Sequence, residues 1–225
     1  MKRLLRYSFL LLLFPLLASC GGDEYHYPSV KLEYLTATTA RNGVIASVVT
    51  DDFQRQTVLE DGSGLRLPGD TTLRIITNYE EMTAATGESG VRLYGASKVF
   101  SPHPIKIEQL NDGMKNDPVE IVSIWPGNGY LNMMLNVKET SKHFFHFIEQ
   151  SCRETADGLD VHLSLYHDAN GGAPYYAQRC YLSIPLSIYR AQTDAAVVNL
   201  TFTLNTYSHG LQTFTYQCPF AHVED

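Results

Sequence analysis

Little in this 225-residue chain points toward catalysis. It has no His-Glu-x-x-His, no Cys/His finger spacing and no Gly-x-Ser-x-Gly, so the patterns of zinc proteases, structural zinc sites and α/β-hydrolase nucleophiles are missing. Glycine clusters such as Gly62-Ser63-Gly64 and Gly171-Gly172 are not followed by a helical segment, which leaves a phosphate loop unsupported. Basic charge is scarce: Lys and Arg number 17 against 24 Asp and Glu, a formal net charge of -7. With no basic patch between Val30 and Phe100, nucleic acid is excluded as a partner, and so is charge-driven attachment to anionic lipid. Tryptophan occurs once, at Trp125. Helix signals are few, and no apolar run reaches the ~20 residues that cross a bilayer.

The amino terminus carries an address. Lys2, Arg3 and Arg6 form a basic start, residues 9–17 are almost wholly apolar, and Ala18, Ser19 and Cys20 follow. That run is about half the length of a bilayer span, which marks 1–19 as a cleaved signal peptide rather than a transmembrane helix. Leu17-Ala18-Ser19-Cys20 resembles a bacterial lipobox. The resemblance implies cleavage before Cys20 and lipidation of its sulfur and new amino terminus, hence a membrane anchor; several acyl chains at ~0.8 kcal/mol per buried methylene hold stably. Gly21-Gly22-Asp23-Glu24 resembles the surface-export tag of Bacteroidota lipoproteins. The expectation is an outer-membrane, lipid-anchored protein, at the cell surface rather than the periplasmic face, with 20–29 as a lipidated tether. Loss of the leader removes three cations and takes the formal charge from -7 to -10.

The remainder reads as all-β. Tyr 14 and Phe 10, with Gly, Asn, Asp and Pro breakers at short intervals, favour strands. Strands are predicted at 30–39 and 44–50 around an Asn42-Gly43 turn, at 57–59 and 65–67 flanking a hairpin at Asp61-Gly62-Ser63-Gly64, at 72–79 and at 91–100, with a helical turn within 80–87. Short strands at this spacing fit a five-stranded, N-terminal OB-like β-barrel over 30–108. Pro102, Pro104, Pro118 and Asn111-Asp112-Gly113 mark a break, with a linker at 109–118 and a C-terminal antiparallel β-sandwich over 119–225. There the alternation is cleaner. Leu131, Met133, Leu135 and Val137 face one way, Asn132 and Asn136 the other; Leu159, Val161, Leu163 and Leu165 oppose Asp160, His162, Ser164 and Tyr166. The pattern repeats from Leu182 to Ile188, from Val198 to Leu204 and at Phe214 and Tyr216. Period two with one apolar face means sheets packed on one side. Pro185 inside its strand marks an edge or a bulge. Residues 119–150 read as three consecutive strands around two tight turns.

The eight histidines do not space as ligands on strands. His143 and His146, three apart, and His162 and His167, five apart, fall on opposite faces; no metal and no other cofactor is expected. His167-Asp168 beside Tyr166 has the form of a base with an orienting carboxylate. No nucleophile pattern accompanies it, and closing the strand ahead of the Asn170-Gly171-Gly172 turn is its simpler role, so the chain is not expected to be an enzyme. Trp125 is read as core, with Tyr130 packing across its hairpin. Tyr166, His167, Tyr175 and Tyr176 stand near turns, where rings beside polar groups suit a protein hot spot or a stacked sugar, and they are the candidate partner contacts. Cys152, Cys180 and Cys218 fit either one bridge plus a thiol or three buried thiols.

Ile124-Trp125-Pro126-Gly127-Asn128-Gly129-Tyr130-Leu131-Asn132, then Lys142-His143, then Leu163-Ser164-Leu165-Tyr166-His167-Asp168-Ala169 resemble the signature of NigD-like lipoproteins of the Bacteroidota: I-W-x-G-x-Y-L-N, Lys-His, and L-x-L-x-H-N-A. Here a residue is inserted ahead of Tyr130, and Tyr166-His167-Asp168 stands where Arg-His-Asn is usual. The resemblance runs best from Val119 to Tyr189. It implies an OB-like domain followed by a β-sandwich, takes its name from bacteriocin immunity and brings no catalytic residues. The leading expectation is a non-enzymatic envelope lipoprotein that binds a macromolecular partner, protein or glycan, with bacteriocin immunity as one version. The alternative is a surface glycan-binding accessory lipoprotein. A hydrolase built on His162, His167 and Asp168 requires those side chains to converge.

Overall fold

A computed structural model describes residues 29–138, 142–156, 158–171 and 176–220. Cys20, the leader, nearly all of the tether and Tyr175 lie outside the described residues.

The first five strands are β1 (Lys31–Thr39), β2 (Ile45–Val49), β3 (Arg55–Asp61), β4 (Thr72–Thr83) and β5 (Ser89–Lys98), and they close into a barrel in the order β1-β2-β3-β5-β4. Closure leaves no sheet edge in this domain. Alternation along β1 and β4 turns Leu35, Ala37 and Ile75 into the barrel core with Ile45, Val48, Val91 and Leu93. The same alternation turns Tyr34, Thr36, Arg74 and Ile76 outward, yet these four are buried too.

Two local expectations are corrected here. No hairpin forms at Gly62-Ser63-Gly64. The Asp61 carboxylate accepts from the Ser63 backbone N–H and hydroxyl, the chain then leaves the sheet, and β3 finds a parallel partner in β5. Residues 65–67 form no strand; Leu67 instead tucks its side chain into the barrel core. Nor is 80–87 helical. β4 pairs with β1 from Thr72 to Tyr79 and with β5 from Ile75 to Thr83, so it runs on to Thr83, and residues 84–88 make a tight turn into β5.

Eight further strands build the sandwich: β6 (Ile105–Lys106), β7 (Glu120–Gly127), β8 (Tyr130–Lys138), β9 (Phe144–Thr155), β10 (Gly158–Asp168), β11 (Ala177–Pro185), β12 (Val197–Thr206) and β13 (Gly210–Pro219). They form one sheet in the order β13-β12-β10-β9-β6 and a second in the order β11-β8-β7. Between them lies a core that includes Leu131, Met133, Leu135, Val137, Phe147, Leu163, Ile184, Leu200 and Phe202. Each such side chain contributes roughly 1.5–3 kcal/mol of burial free energy. Within 119–150 only β7 and β8 form a hairpin; β9 crosses to the facing sheet. The pairing is antiparallel except for β6·β9 and β10·β12. After β10 the chain visits the other sheet as β11 and returns as β12, which aligns the two strands. Pro185 ends β11, an outer strand, where its missing N–H costs no ladder bond. Ile188 falls in a 3-10 helix, Ser187–Gln192, rather than in the strand.

Candidate functional site

The outward face of β1 and β4 packs on the sheet β11-β8-β7, and this junction changes the reading of the most conspicuous residues. Tyr34 sits edge-on to Trp125 at 5.0 Å and donates to the Met133 carbonyl at 2.8 Å. Trp125 is half-buried against the barrel, not in the sandwich core as expected, and its Nε1 donates to Asp51 at 2.7 Å. Tyr130 does not pack on Trp125; it covers the Arg74 guanidinium at 4.8 Å. Arg74 is sealed from solvent and ion-paired to Asp51, with Nη1 donating to Thr36 at 3.0 Å and Nε to Asn132 at 3.2 Å. Asn132, expected on a solvated face, is fully buried; its Oδ1 also accepts from Ser183 at 2.7 Å. The Asn128-Gly129 turn takes positive φ at both residues, 44° and 76°, as a two-residue hairpin turn of this hand requires. It thereby aims Asn128 Nδ2 at Thr36, 2.9 Å away. Sequence reasoning missed Arg74, although a lone charge inside Leu73-Arg74-Ile75-Ile76 was the available signal.

The other candidates separate. His162 is exposed on β10, about 16 Å along the strand from His167. His167 is buried, and Asp168 pairs with Lys115 at 2.8 Å, which holds its carboxyl below the usual range. The three side chains thus do not assemble around one point. Tyr166 and His167 offer no surface to a partner, because the sheet and the segment entering the sandwich cover them; Tyr176 is 71% exposed. The structure brings together a pair that spacing did not: His143 Nδ1 lies 2.9 Å from His167 Nε2, and His167 Nδ1 lies 2.9 Å from the Asp117 carbonyl. Phe145 stacks on His167 at 4.6 Å. Among the described residues no cluster of three metal-ligating side chains occurs. Cys152, Cys180 and Cys218 are all free.

One side of the sandwich stays open. Among the described residues β11 is an outer strand, and on the side away from β10 the strand β9 is bordered only by the two-residue β6. The chain crossing between the domains closes part of the gap. Phe100 bonds the backbone of Tyr181 and Ser183, and Ile105 pairs with Ile148. Beside this crossing lies a groove of about 520 Å³, lined by Lys98 and Phe100, by residues 142–146 and by residues 178–182. Phe100 and Phe144 expose 43% and 41% of their surface. The Lys142 ammonium sits over the Phe144 ring at 5.1 Å, and Arg179 donates to Asn136 at 2.7 Å. Among the described residues no carboxylate pairs with Lys98, Lys142 or Arg179.

With this geometry in place, the likenesses are informative. The NigD-like C-terminal beta sandwich domain matches residues 101–218. A crystal structure of a NigD-like immunity protein from Bacteroides caccae is 34% identical, covers 86% of this chain and 99% of its own, and superposes with a TM-score of 0.70. A protein named as toxin-related from Parabacteroides distasonis shares the fold at 19% identity, over 85% of this chain and 94% of its own, with a TM-score of 0.67. So does a protein of unknown function from Bacteroides vulgatus, at 19% identity over 85% and 92%, with a TM-score of 0.64. No curated protein gives a match.

Proposed function

The chain belongs to the NigD-like family, and from that premise we propose that it is a non-enzymatic envelope lipoprotein whose task is to bind a macromolecular partner, with bacteriocin immunity as the specific form. The observation that carries this reading is the 34% identity extending over 99% of the Bacteroides caccae immunity protein. A likeness of that extent takes in both domains and the junction between them, not the sandwich alone. The hydrogen bonds that cross the junction, from Arg74 to Asn132 and from Trp125 to Asp51, fit a protein whose two β modules present one continuous surface.

Anchoring follows from the lipobox-like Leu17-Ala18-Ser19-Cys20. Among the described residues no helix is long and apolar enough to cross a membrane. Acyl chains on Cys20 would hold the protein at the outer membrane, facing the cell surface, where an incoming toxin is met first.

Deleting the gene and challenging the strain with bacteriocins of its neighbours tests the reading. Increased killing, reversed by the wild-type gene and not by Cys20→Ser, is the expected result. Unchanged sensitivity, together with no envelope polypeptide cross-linked to the protein, would sink it.

A further inference from the structure

The groove on the open side of the sandwich combines three features that serve one kind of ligand. The first is a free strand edge. Phe100 bonds Tyr181 and Ser183, whose N–H and C=O groups therefore point away from β8. Alternation along an antiparallel strand turns the N–H and C=O of Arg179 and Ala177 the same way. No described strand pairs with them, and an unpaired edge is a template for another extended chain. The second is charge. The protein is acidic overall, yet Lys98, Lys142 and Arg179 line this groove without a carboxylate partner among the described residues. The third is an apolar surface. Phe100 and Phe144 stay substantially exposed, with Tyr181 and Leu182 beside them, and Tyr176 precedes the edge by one residue.

We propose that this groove binds an extended, acidic segment of a partner protein. The segment pairs with the β11 edge at Ala177 to Arg179, sets carboxylates against Lys98, Lys142 and Arg179, and lays an alternate apolar side chain on Phe100 and Phe144. Backbone pairing supplies affinity that tolerates sequence variation; the cations and phenyl rings supply the preference. The inference rests on the partner-binding reading above and adds the partner's chemistry.

The test uses the mature lipidated protein in detergent and a labelled peptide that alternates Asp or Glu with Val or Phe. Controls are its Asn/Gln and Lys counterparts and, as an acidic glycan, polygalacturonate. The acidic peptide is expected to bind, the Lys version not to bind, and affinity to weaken as salt rises. The double variant Lys142→Glu/Arg179→Glu, both exposed positions, should weaken binding about tenfold or more at unchanged melting temperature. Amide shifts should fall on residues 178–181 and 142–146. Equal binding of the neutral peptide, shifts mapping elsewhere, tighter binding of polygalacturonate, or no peptide binding each overturns the proposal. Cross-linking in intact cells separates this from the broader reading. A partner captured equally by wild type and double variant removes the groove and leaves partner binding in place, whereas a partner lost by the variant supports both.

Discussion

Arg74 of the barrel donates through Nε and Nη2 to one atom of the sandwich, Asn132 Oδ1, at 3.2 and 3.1 Å. Neither residue touches solvent. A buried guanidinium is tolerated only where its charge is matched and its donors are satisfied, and here Asp51, Thr36 and Asn132 do both from three separate parts of the chain. The two domains are therefore coupled through a polar junction rather than merely tethered. Removing Arg74 leaves Asp51 without its cation and takes two of the three hydrogen bonds from Asn132 Oδ1, so Arg74→Ala should cost about 3 kcal/mol or more in urea unfolding. Wild type should unfold in one transition. A loss below 1 kcal/mol (a rough threshold for an ordinary surface change) would contradict the junction's role.

Gly127 closes on the same junction for a steric reason. A Cβ there would collide with the Asp51 side chain. Gly127→Ala should thus destabilise by about 1–3 kcal/mol, the usual cost of overpacking. In an Asp51→Gly background the same substitution should cost clearly less, because both the obstructing Cβ and the carboxylate are gone. Additive losses in the double variant would show that Gly127 matters for some other reason.

Alkali should unfold the protein through its buried acids. Burial pushes Cys180 up to about 11 and Cys218 up to about 12, from an ordinary 9.0. Burial likewise raises Tyr34, Tyr79 and Tyr189 well above the ordinary tyrosine value of 10.0, and the latter two also donate to Glu33 and Glu149. All five are neutral in the fold and ionise earlier when unfolded. Their contribution is complete below pH 9 and is lost progressively as pH rises, first through the thiols and then, above pH 10, through the tyrosines. Urea midpoints should fall steadily from pH 9 upward, and part of the tyrosinate absorbance should appear only with unfolding. Midpoints flat to pH 11 would contradict this.

The His143–His167 contact fixes both tautomers. The Asp117 carbonyl can only accept, so His167 carries its proton on Nδ1 and presents Nε2 as an acceptor. His143 then donates from Nδ1. Nitrogen-15 NMR of the neutral protein should report Nδ1–H for both rings. An Nε2–H signal for His167 would mean that the pair is not bonded this way.

How much of this was readable in advance depends on what buries each residue. Met133 and Leu200 declare themselves because burial between two sheets imposes period two on the chain. Asn132 carries the same periodicity with the opposite meaning: its face looks solvated until a second domain docks on it. Trp125 was legible as buried, but not as a barrel contact, since no local pattern encodes which surface meets the outer face of a sheet. The Gly62-Ser63-Gly64 turn has hairpin chemistry, yet barrel closure gave β3 a more favourable neighbour in β5. The groove joins Lys98, Lys142 and Arg179 across 81 positions of sequence, a proximity that only the sandwich topology creates. The run Lys142-His143-Phe144-Phe145-His146 was its one local sign, a cation beside exposed rings at the start of a strand.

Partner binding at the cell envelope is most directly tested by a photo-reactive phenylalanine analogue in intact cells of the native host, placed at Phe144 in one strain and at Leu211, exposed on β13, in another. The account predicts one discrete cross-linked envelope polypeptide from position 144, lost when Lys142→Glu and Arg179→Glu are added, and none from position 211. The absence of any adduct from position 144 and from other exposed positions alike would contradict it.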